Sequence, residues 1–522
     1  MEVGSISTWS TATWAAISVA GLVLYFLYAF WYAPFQVLRR AGIRGPRPTV
    51  IVGNMPEIKT KGVLKFGEEL IAKYGPVVGF YVGCQPYILV SDLDILKQVL
   101  VRDFDRFTDR AQLLGLQTVS YIAHRGLLSV KGDLWRRSRR ILTPTFSTLK
   151  LKIMAPIMQD SSDHMMRRFT ASCDSGIAVN VFSWYGDYTM EVLLSTSLGA
   201  SSEDMGEHGA LVAAVANAFA GQQTGGPLNA MAVRVLHSNF PWLLPIFRFF
   251  NQQSSYGLSW RYMESTAKKL VSERRSRGNK GRRKDMLELI LSAREDEEEF
   301  DKIPHHYNRN ITKGLYDRDI VAHITHFFLA GYETTSNCLA FTSYLLALNQ
   351  DKQDQLYREI EQFYSENPTA TTYEACQGVQ YLDMVLCESL RFYPPVPRTT
   401  RVALETVVFN DVTIPKGSIV EVPIEYIHRN PELWPEPDKF IPERFLPGEK
   451  QKRHPCAFLP FGAGPRNCIG LRFAMLEAKM LLLPIIRQMK FVACADTEIP
   501  LKRKLGLTIA PENGIYLLLQ SR

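Results

Sequence analysis

Apolar residues dominate the start of the chain, where no charged residue occurs between Val3 and Leu38. Residues 13–33, TWAAISVAGLVLYFLYAFWYA, form a run of the length that spans a hydrocarbon core as a helix. Its aromatic residues cluster near the end and arginines follow, which predicts a membrane anchor with the rest of the chain in the cytosol. A cleaved signal peptide is the alternative, but its basic residues would precede the apolar run.

Helical periodicity dominates the remainder, with two β-rich interruptions. Residues 77–90, VVGFYVGCQPYILV, predict short strands, and residues 401–423 predict a second set with turns at FND and PKG. Residues 317–350 read as one helix of about 30 residues, capped by Asp317 or Asp319, and a shorter helix is predicted within 285–292. The predicted fold is mainly α with a small β region (α+β).

Three segments follow from this pattern. The N-terminal anchor takes residues 1–38, and an elbow, 39–49, contains the helix-breaking GIRGPRP. Residues 50–522 are expected to form one large catalytic domain. A boundary within 274–312 is the alternative, since that stretch is charged and reads as a loop.

Charge and cysteine spacing narrow the function classes. The net charge is +8, and a basic run covers residues 273–284. No recognition helix or aromatic-interleaved basic sheet accompanies it, so we expect no nucleic acid and favour an anionic membrane or acidic partner. The eight cysteines form no CxxC pair, which disfavours structural zinc and a disulfide scaffold.

One cysteine has unusual surroundings, FGAGPRNCIG at residues 461–470. A strong helix pattern follows Cys468, so its thiolate would lie just before a helix N-terminus, where free N–H groups stabilise it. Arg466 can meet an anion beside the sulfur, and Phe461 can keep water away. Such donors tune the potential of a thiolate-bound haem iron.

The pattern F-x-x-G-x-R-x-C-x-G resembles the haem-binding signature of the cytochrome P450 family. The segments AGYETTS and FLPFGAGPRNCIGLRFAMLEAK resemble the sequences of the animal microsomal steroid- and drug-oxidising branch of this family, which has thromboxane synthase-like relatives. The resemblance implies the cytochrome P450 fold, with haem b (iron protoporphyrin IX) held by Cys468 as axial thiolate and its one protein metal ligand. Phe461 and Arg466 would be cofactor-binding residues.

Other motifs of the family occur in the same order. Glu388 and Arg391 in ESLR lie on one helix face and can pair, and the resemblance implies that Arg444 completes a structural trio with them. The resemblance further implies haem-propionate donors at four positions. These are Trp135 and Arg139 in WRRSR, and Arg398 and Arg401 in PRTTR, with Arg401 the better match. Arg136, Arg137 and Arg140 form either a solvated face or a docking surface for an acidic redox partner.

AGYETT, in the middle of the long predicted helix, conflicts with helix propensity. Thr334 could bond the Ala330 carbonyl and open the helix. By resemblance, Ala330 and Gly331 leave room for dioxygen, while Glu333 and Thr334 are the catalytic residues that deliver protons to it. A buried polar helix face without chemistry is the alternative.

The implied function is a haem-thiolate monooxygenase that inserts one atom of O2 into a lipophilic substrate, such as a steroid, fatty acid or xenobiotic. Electrons would come from NADPH through a flavoprotein reductase, and the chain would cross the endoplasmic reticulum membrane once. Residues 238–250, SNFPWLLPIFRFF, are either core or a second contact with membrane lipid. The rivals are a haem-thiolate isomerase acting on a lipid peroxide, which has no use for the acid–alcohol pair, and a membrane-bound haem sensor or electron carrier.

Overall fold

Helices make up most of the chain in a computed structural model, which describes residues 11–112, 118–120, 122–198, 205–224, 240–276, 286–291 and 315–522. Four small sheets accompany them within these ranges, which confirms a mainly α fold with a small β region. The predicted helix within 285–292 is present at Met286–Leu291. Most of the proposed boundary region 274–312, most of the basic run and the first two residues of the 238–250 segment lie outside the described residues.

Four helices carry the site and are named here: the arginine helix (Gly132–Leu142), the central helix (Asp317–Leu348), the charged-pair helix (Gln380–Phe392) and the C-terminal helix (Leu471–Gln488). The other described α-helices are Thr11–Leu27, Val37–Arg40, Met55–Lys61, Val63–Tyr74, Leu93–Lys97, Thr148–Ser175, Val181–Leu198, Met205–Thr224, Leu244–Asn251, Ser255–Ser276, Met286–Leu291, Gln350–Glu366, Thr372–Gly378, Ile424–Arg429 and Pro447–Lys452.

The strands are β1 (Val77–Val82), β2 (Gln85–Val90), β3 (Val179–Asn180), β4 (Thr399–Val402), β5 (Val407–Phe409), β6 (Val412–Ile414), β7 (Ile419–Val422), β8 (Met489–Ala493), β9 (Arg503–Leu505), β10 (Ile509–Pro511) and β11 (Tyr516–Ser521). The largest sheet has the order β1-β2-β7-β4, in which only the β2–β7 pair is parallel. The strands predicted in 77–90 and 401–423 are therefore confirmed. β4 and β7 join β1 and β2 in this sheet although more than 300 residues separate them, whereas β5 and β6 form a separate two-stranded sheet.

Turn residues explain where these strands end. Asn410 (φ 50°) lies between β5 and β6, and Gly417 (φ 80°) lies between β6 and β7. Glycine and asparagine are the residues that adopt this left-handed backbone most readily. The FND and PKG turns are therefore formed as predicted.

The N-terminal apolar run is helical from Thr11 to Leu27 and continues as a π-helical turn and a 3-10 turn to Gln36. Within the part of the chain that the structure describes, no helix combines the length and hydropathy needed to cross a membrane. Leu38 is only 3% exposed, and its N–H donates to the Tyr81 hydroxyl at 3.1 Å. The end of this run therefore packs against the body of the molecule.

The central helix runs through the largest hydrophobic cluster and is buried along most of its length. Its single continuous span confirms the predicted long helix. The predicted cap was wrong, because Tyr316 occupies the N-cap position and makes no side-chain cap bond. Asp317 instead pairs with Arg275 at 2.5 Å, and Asp319 pairs with Arg125 at 2.5 Å, so both carboxylates are used to fasten neighbouring segments.

The charged-pair helix confirms the predicted trio. Arg391 and Glu388 are fully buried and pair at 2.7 Å, and Arg444 lies 3.3 Å from the same carboxylate. Arg391 also donates to the carbonyls of His428 and Pro437, both at 2.9 Å. Because buried charges are stable only when they are paired and hydrogen-bonded, this cluster holds the charged-pair helix to the segment that leads into the cysteine loop.

Candidate active site

The cysteine loop, residues 461–470, passes so close to the backbone at Leu100 that only glycine fits at position 464. Gly464 has φ 73°, and a Cβ on it would lie 1.7 Å from the Leu100 carbonyl oxygen. The Cys468 N–H donates to the Phe461 carbonyl at 2.8 Å, which closes the loop. Gly470 is the N-cap of the C-terminal helix. Cys468 therefore lies two residues before the cap, as predicted.

Cys468 is solvent-accessible, yet enough protein surrounds it for burial to act on its thiol, so we infer that its side chain faces an internal space. Burial raises the pKa of the Cys468 thiol, whereas the Gly470 N–H and the positive charges of Arg110 and Arg139 oppose that rise. These three groups are the ones that would stabilise a thiolate. Burial has the largest of these effects, so the pKa of the Cys468 thiol lies above its ordinary value.

Four arginines surround this space: Arg110, Arg139, Arg401 and Arg466, called here the arginine cluster. Arg139 reaches inward from the arginine helix and donates to the backbone carbonyl and side-chain oxygen of Asn467, both at 2.8 Å. Arg466 donates to the carbonyls of Thr108 and Val130. These bonds fix the loop and the arginines to each other.

The arginine cluster has an excess of positive charge. Burial lowers the pKa of Arg401, and the neighbouring Arg110 and Arg466 lower it further. The Nε atoms of these three arginines are buried and have no hydrogen-bond partner among the residues that the structure describes. Asp109 lies 3.9 Å from Arg466 and is the one carboxylate that pairs with the cluster among the described residues. A single carboxylate does not balance four guanidinium groups. Orphaned cationic donors around a space that contains an accessible thiol fit a ligand with two carboxylates, and haem b is such a ligand.

Trp135 and Arg398 have different surroundings from this cluster. Trp135 is buried, and the guanidinium of Arg466 lies 4.9 Å from its ring centroid. Arg398 pairs with Glu421 at 3.3 Å and is therefore already neutralised. Of the two arginines in PRTTR, Arg401 is the one that has no carboxylate partner within the described ranges, in line with its better match to the family pattern.

One face of the central helix borders an open space. Phe327, Ala330, Gly331 and Thr334 are accessible at a spacing of i, i+3, i+4 and i+7, whereas most of the helix is buried. The ring of Phe146 lies 6.0 Å from the ring of Phe327, and 3.8 Å from the position of a Cβ on Gly470. Phe146 thus connects this face to the cysteine loop, which places both at the same internal space.

Thr334 donates from its hydroxyl to the Ala330 carbonyl at 2.6 Å, which confirms the predicted backbone bond. The α-helix nevertheless continues through this turn without a break. A Cβ on Gly331 would lie 3.3 Å from Leu193 of helix Val181–Leu198. The glycine therefore lets these two helices approach each other closely.

Glu333 is 4% exposed, and its Oε2 has no hydrogen-bond partner in the described part of the chain. Burial raises its pKa to about 7, while the Thr508 hydroxyl and the positive charge of Lys504 oppose the rise. Near neutral pH the carboxyl is thus divided between its acid and its ionised form. A group that exchanges protons at the working pH is suited to general acid catalysis.

His323 and His326 on the central helix hold the preceding loop. Their Nδ1 atoms accept the N–H groups of Leu127 at 3.1 Å and Leu128 at 3.4 Å. Burial lowers the pKa of His323 to about 4 and of His326 to about 3, so both are neutral. The two histidines therefore hold the loop before the arginine helix against the central helix.

Four residues near the site were not predicted from the sequence: Arg110, Phe146, and Lys504 and Thr508, which both act on Glu333. Arg110 lies in a loop and meets the other arginines only through tertiary contacts, including its own bond to the Arg466 carbonyl at 3.1 Å. No spacing along the chain indicates such contacts.

Comparison with known proteins agrees with this geometry. Residues 43–518 match the family model for cytochrome P450. The chain is 34% identical to cytochrome P450 3A28 of Bos taurus over 515 residues, or 98% of this chain and 96% of the relative. It is 33% identical to cytochrome P450 3A27 of Oncorhynchus mykiss over 519 residues, or 98% and 95%. It is 31% identical to thromboxane-A synthase of Sus scrofa over 546 residues, the whole of both chains.

Proposed function

Because the chain belongs to the cytochrome P450 family, we propose that it inserts one atom of O2 into a lipophilic substrate, with electrons from NADPH delivered through a flavoprotein reductase. It is a cytochrome P450 monooxygenase that uses haem with a cysteine thiolate ligand. The observation that carries the proposal is the accessible face of the central helix, which bears the Thr334 hydroxyl, together with the buried acid Glu333 next to it in the chain, whose pKa is about 7.

Cys468 is the residue that we assign as the thiolate. When bound, haem with this ligand binds O2 and promotes cleavage of its O–O bond. The Gly470 N–H would stabilise the sulfur, and Arg110, Arg139 and Arg401 would receive the propionates. Arg466 and Phe461 hold the loop, as their bonds to its surroundings support.

Glu333 and Thr334 would hold and move the protons. Glu333 releases a proton near neutral pH, and the Thr334 Oγ1 faces the internal space, where it can pass a proton on. Ala330 and Phe327 give the same face an apolar surface, which suits a lipophilic substrate.

Reductase docking is proposed at the outer side of the arginine helix. Arg139 points inward, whereas Arg136 and Arg140 are exposed on the same helix. Arg136 pairs with Asp105 at 2.8 Å and with Asp133 at 3.1 Å, and such exposed pairs exchange readily for an acidic partner. This position would bring a redox partner next to the cysteine loop.

The endoplasmic reticulum membrane is the proposed location, with the body on the cytosolic side. The apolar helix Thr11–Leu27 exposes large side chains such as Leu24, which is 65% accessible. Trp242, 70% accessible, and Phe249 add a second exposed apolar surface. Lipid contact would cover both surfaces.

The isomerase alternative draws on the likeness to thromboxane-A synthase. An isomerase that rearranges a peroxide consumes no NADPH and has no use for an acid at Glu333. Substrate-dependent NADPH consumption by the purified protein with reductase would exclude it. A haem sensor or carrier would form no oxidised product.

The proposal is tested with Thr334→Ala. We expect substrate affinity to change little, while product formed per NADPH falls several-fold and hydrogen peroxide accumulates. Thr325→Ala is the matched control, since the Thr325 hydroxyl makes the same bond to a carbonyl four residues back, at 2.8 Å, but is buried. An unchanged product ratio in Thr334→Ala, with intact haem, would falsify the proton-delivery role.

A further inference from the structure

Two buried polar atoms face each other across the edge of the site without a completed hydrogen bond. One is Glu333 Oε2 on the central helix, and the other is the hydroxyl of Thr508, a residue only 2% exposed; neither has a hydrogen-bond partner among the described residues, although Thr508 lies close enough to act on the Glu333 carboxyl. Buried polar atoms are normally paired, so an unpaired couple on two contacting elements requires an explanation. Strand β10, which begins directly after Thr508, contacts the central helix.

The β9–β10 hairpin holds Thr508 in a fixed position. The Gly506 N–H donates to the Thr508 carbonyl at 2.9 Å, which closes the turn, and Lys504 pairs with Ala510 across the hairpin. Arg503 fastens the hairpin to Glu425 at 2.7 Å. A hydroxyl on such a braced turn loses little freedom when it forms a hydrogen bond.

We propose that this hairpin positions Glu333 for proton delivery, with the Thr508 hydroxyl donating to the Glu333 carboxylate and Lys504 balancing its charge once the proton has left. The inference rests on the proposed role of Glu333. In each cycle the proton leaves the Glu333 carboxyl toward Thr334 Oγ1, and solvent returns a proton to the carboxylate. Thr508 and Lys504 are positioning residues, because they act through Glu333.

Other ionisable groups around this turn have separate effects. Tyr332 is next to Glu333, and burial together with Asp187 and Glu333 raises its pKa to about 12, so it is neutral. Glu477 of the C-terminal helix is buried beside Thr335, and burial keeps its pKa well above the ordinary value. Lys504 is the charged group whose field acts on Glu333, and it favours the ionised carboxylate.

The sign of the effect follows from the hydrogen bond. Thr508 and Lys504 favour the ionised carboxylate, so the loss of either raises the pKa of Glu333 further. A variant without the hydroxyl would keep the proton to a higher pH and release it less readily. Because the hairpin and the helix are distant in sequence, this role is specific to the folded site.

Infrared pH titration of the haem-loaded, full-length protein measures this directly. The carboxyl band of Glu333 is identified by its loss in Glu333→Gln. We expect its midpoint near pH 7 in the wild type, and a shift upward by about 0.4–1 pH unit in Thr508→Val, the size that one hydrogen bond supports. Thr508→Ser, which restores the hydroxyl, should titrate like the wild type.

Lys504→Gln tests the inference independently if Thr508→Val folds poorly, and it should also shift the midpoint upward. Its matched control is Lys502→Gln, since Lys502 is exposed and pairs with Glu498 at 3.1 Å. A Glu333 midpoint that stays unchanged in both Thr508→Val and Lys504→Gln would overturn the inference. That outcome is distinct from failure of the proposed function, which the Thr334→Ala product ratio decides.

Discussion

Glu333 has an ordinary pKa near 4.5, which burial raises to about 7 in the folded chain. Between these two values the folded protein holds a proton that the unfolded chain has released. The stability that this proton contributes is complete below the ordinary pKa and is lost as the pH rises through the folded pKa. The residue that supplies protons at neutral pH therefore makes the fold less stable at that pH.

Replacing Glu333 by glutamine removes this titration. We expect Glu333→Gln to be more stable than the wild type at pH 8, by up to about 3 kcal/mol, and to lose that advantage at pH 4. Thermal unfolding followed by circular dichroism at the two pH values measures the difference. Glu366→Gln, at an exposed position, is the control. An advantage of equal size at both pH values would contradict the buried titration.

The charged-pair helix illustrates how an element is locked by one side chain. Arg391 is fully buried, yet it makes two bonds to Glu388 and donates to three backbone carbonyls. Removing one partner of a buried pair leaves an uncompensated charge and typically costs ~3–5 kcal/mol. Arg391 therefore stabilises both the charged-pair helix and the segment that leads into the cysteine loop.

Arg391→Met should therefore lower the free energy of unfolding by ~3–5 kcal/mol and reduce the haem content of the purified protein. Lys452→Met is the matched control, because Lys452 and Glu449 form a pair of the same i,i+3 spacing at 2.7 Å but on the surface. Its stability should stay at the wild-type value. Denaturant titration and haem absorbance report both effects, and equal losses in the two variants would refute the locking role.

Elements and contacts set by local spacing were predictable, and those set by tertiary approach were not. The bond from Thr334 to Ala330 and the pair Glu388–Arg391 follow from helical periodicity. The cap of the central helix was mispredicted, because Asp317 is used by Arg275 on another helix. Arg110 joins the arginine cluster from a loop, and no periodic signal marks a loop residue.

At the scale of the whole molecule, the N-terminal helix and the body share a contact that decides where they can be separated. Phe35 packs against Tyr81, with ring centroids 5.1 Å apart, and Leu38 is buried beside it. A cut after residue 38 would remove part of the hydrophobic cluster. A cut after Tyr32 leaves these contacts in place.

Deleting residues 2–32 should move most of the protein from the membrane fraction to the supernatant and leave haem binding intact, because the removed apolar run carries the proposed anchor. Sedimentation after salt washing measures this. The remaining bound fraction should be released by adding Trp242→Ser and Phe249→Ser, whereas Leu149→Ser, at another exposed apolar position, should release none. Unchanged sedimentation of the deleted form would contradict the anchor.

The arginine cluster affects how much of the protein accumulates in the cell. Four guanidinium groups lie around one interior space, and the negative charge of Asp109 does not balance their positive charge. Until a dianionic ligand arrives, their mutual repulsion favours opening of the chain, so a ligand that binds only the folded form shifts the equilibrium in its favour. Newly made chains therefore compete between cofactor capture and degradation, and the amount of enzyme that accumulates follows the supply of haem.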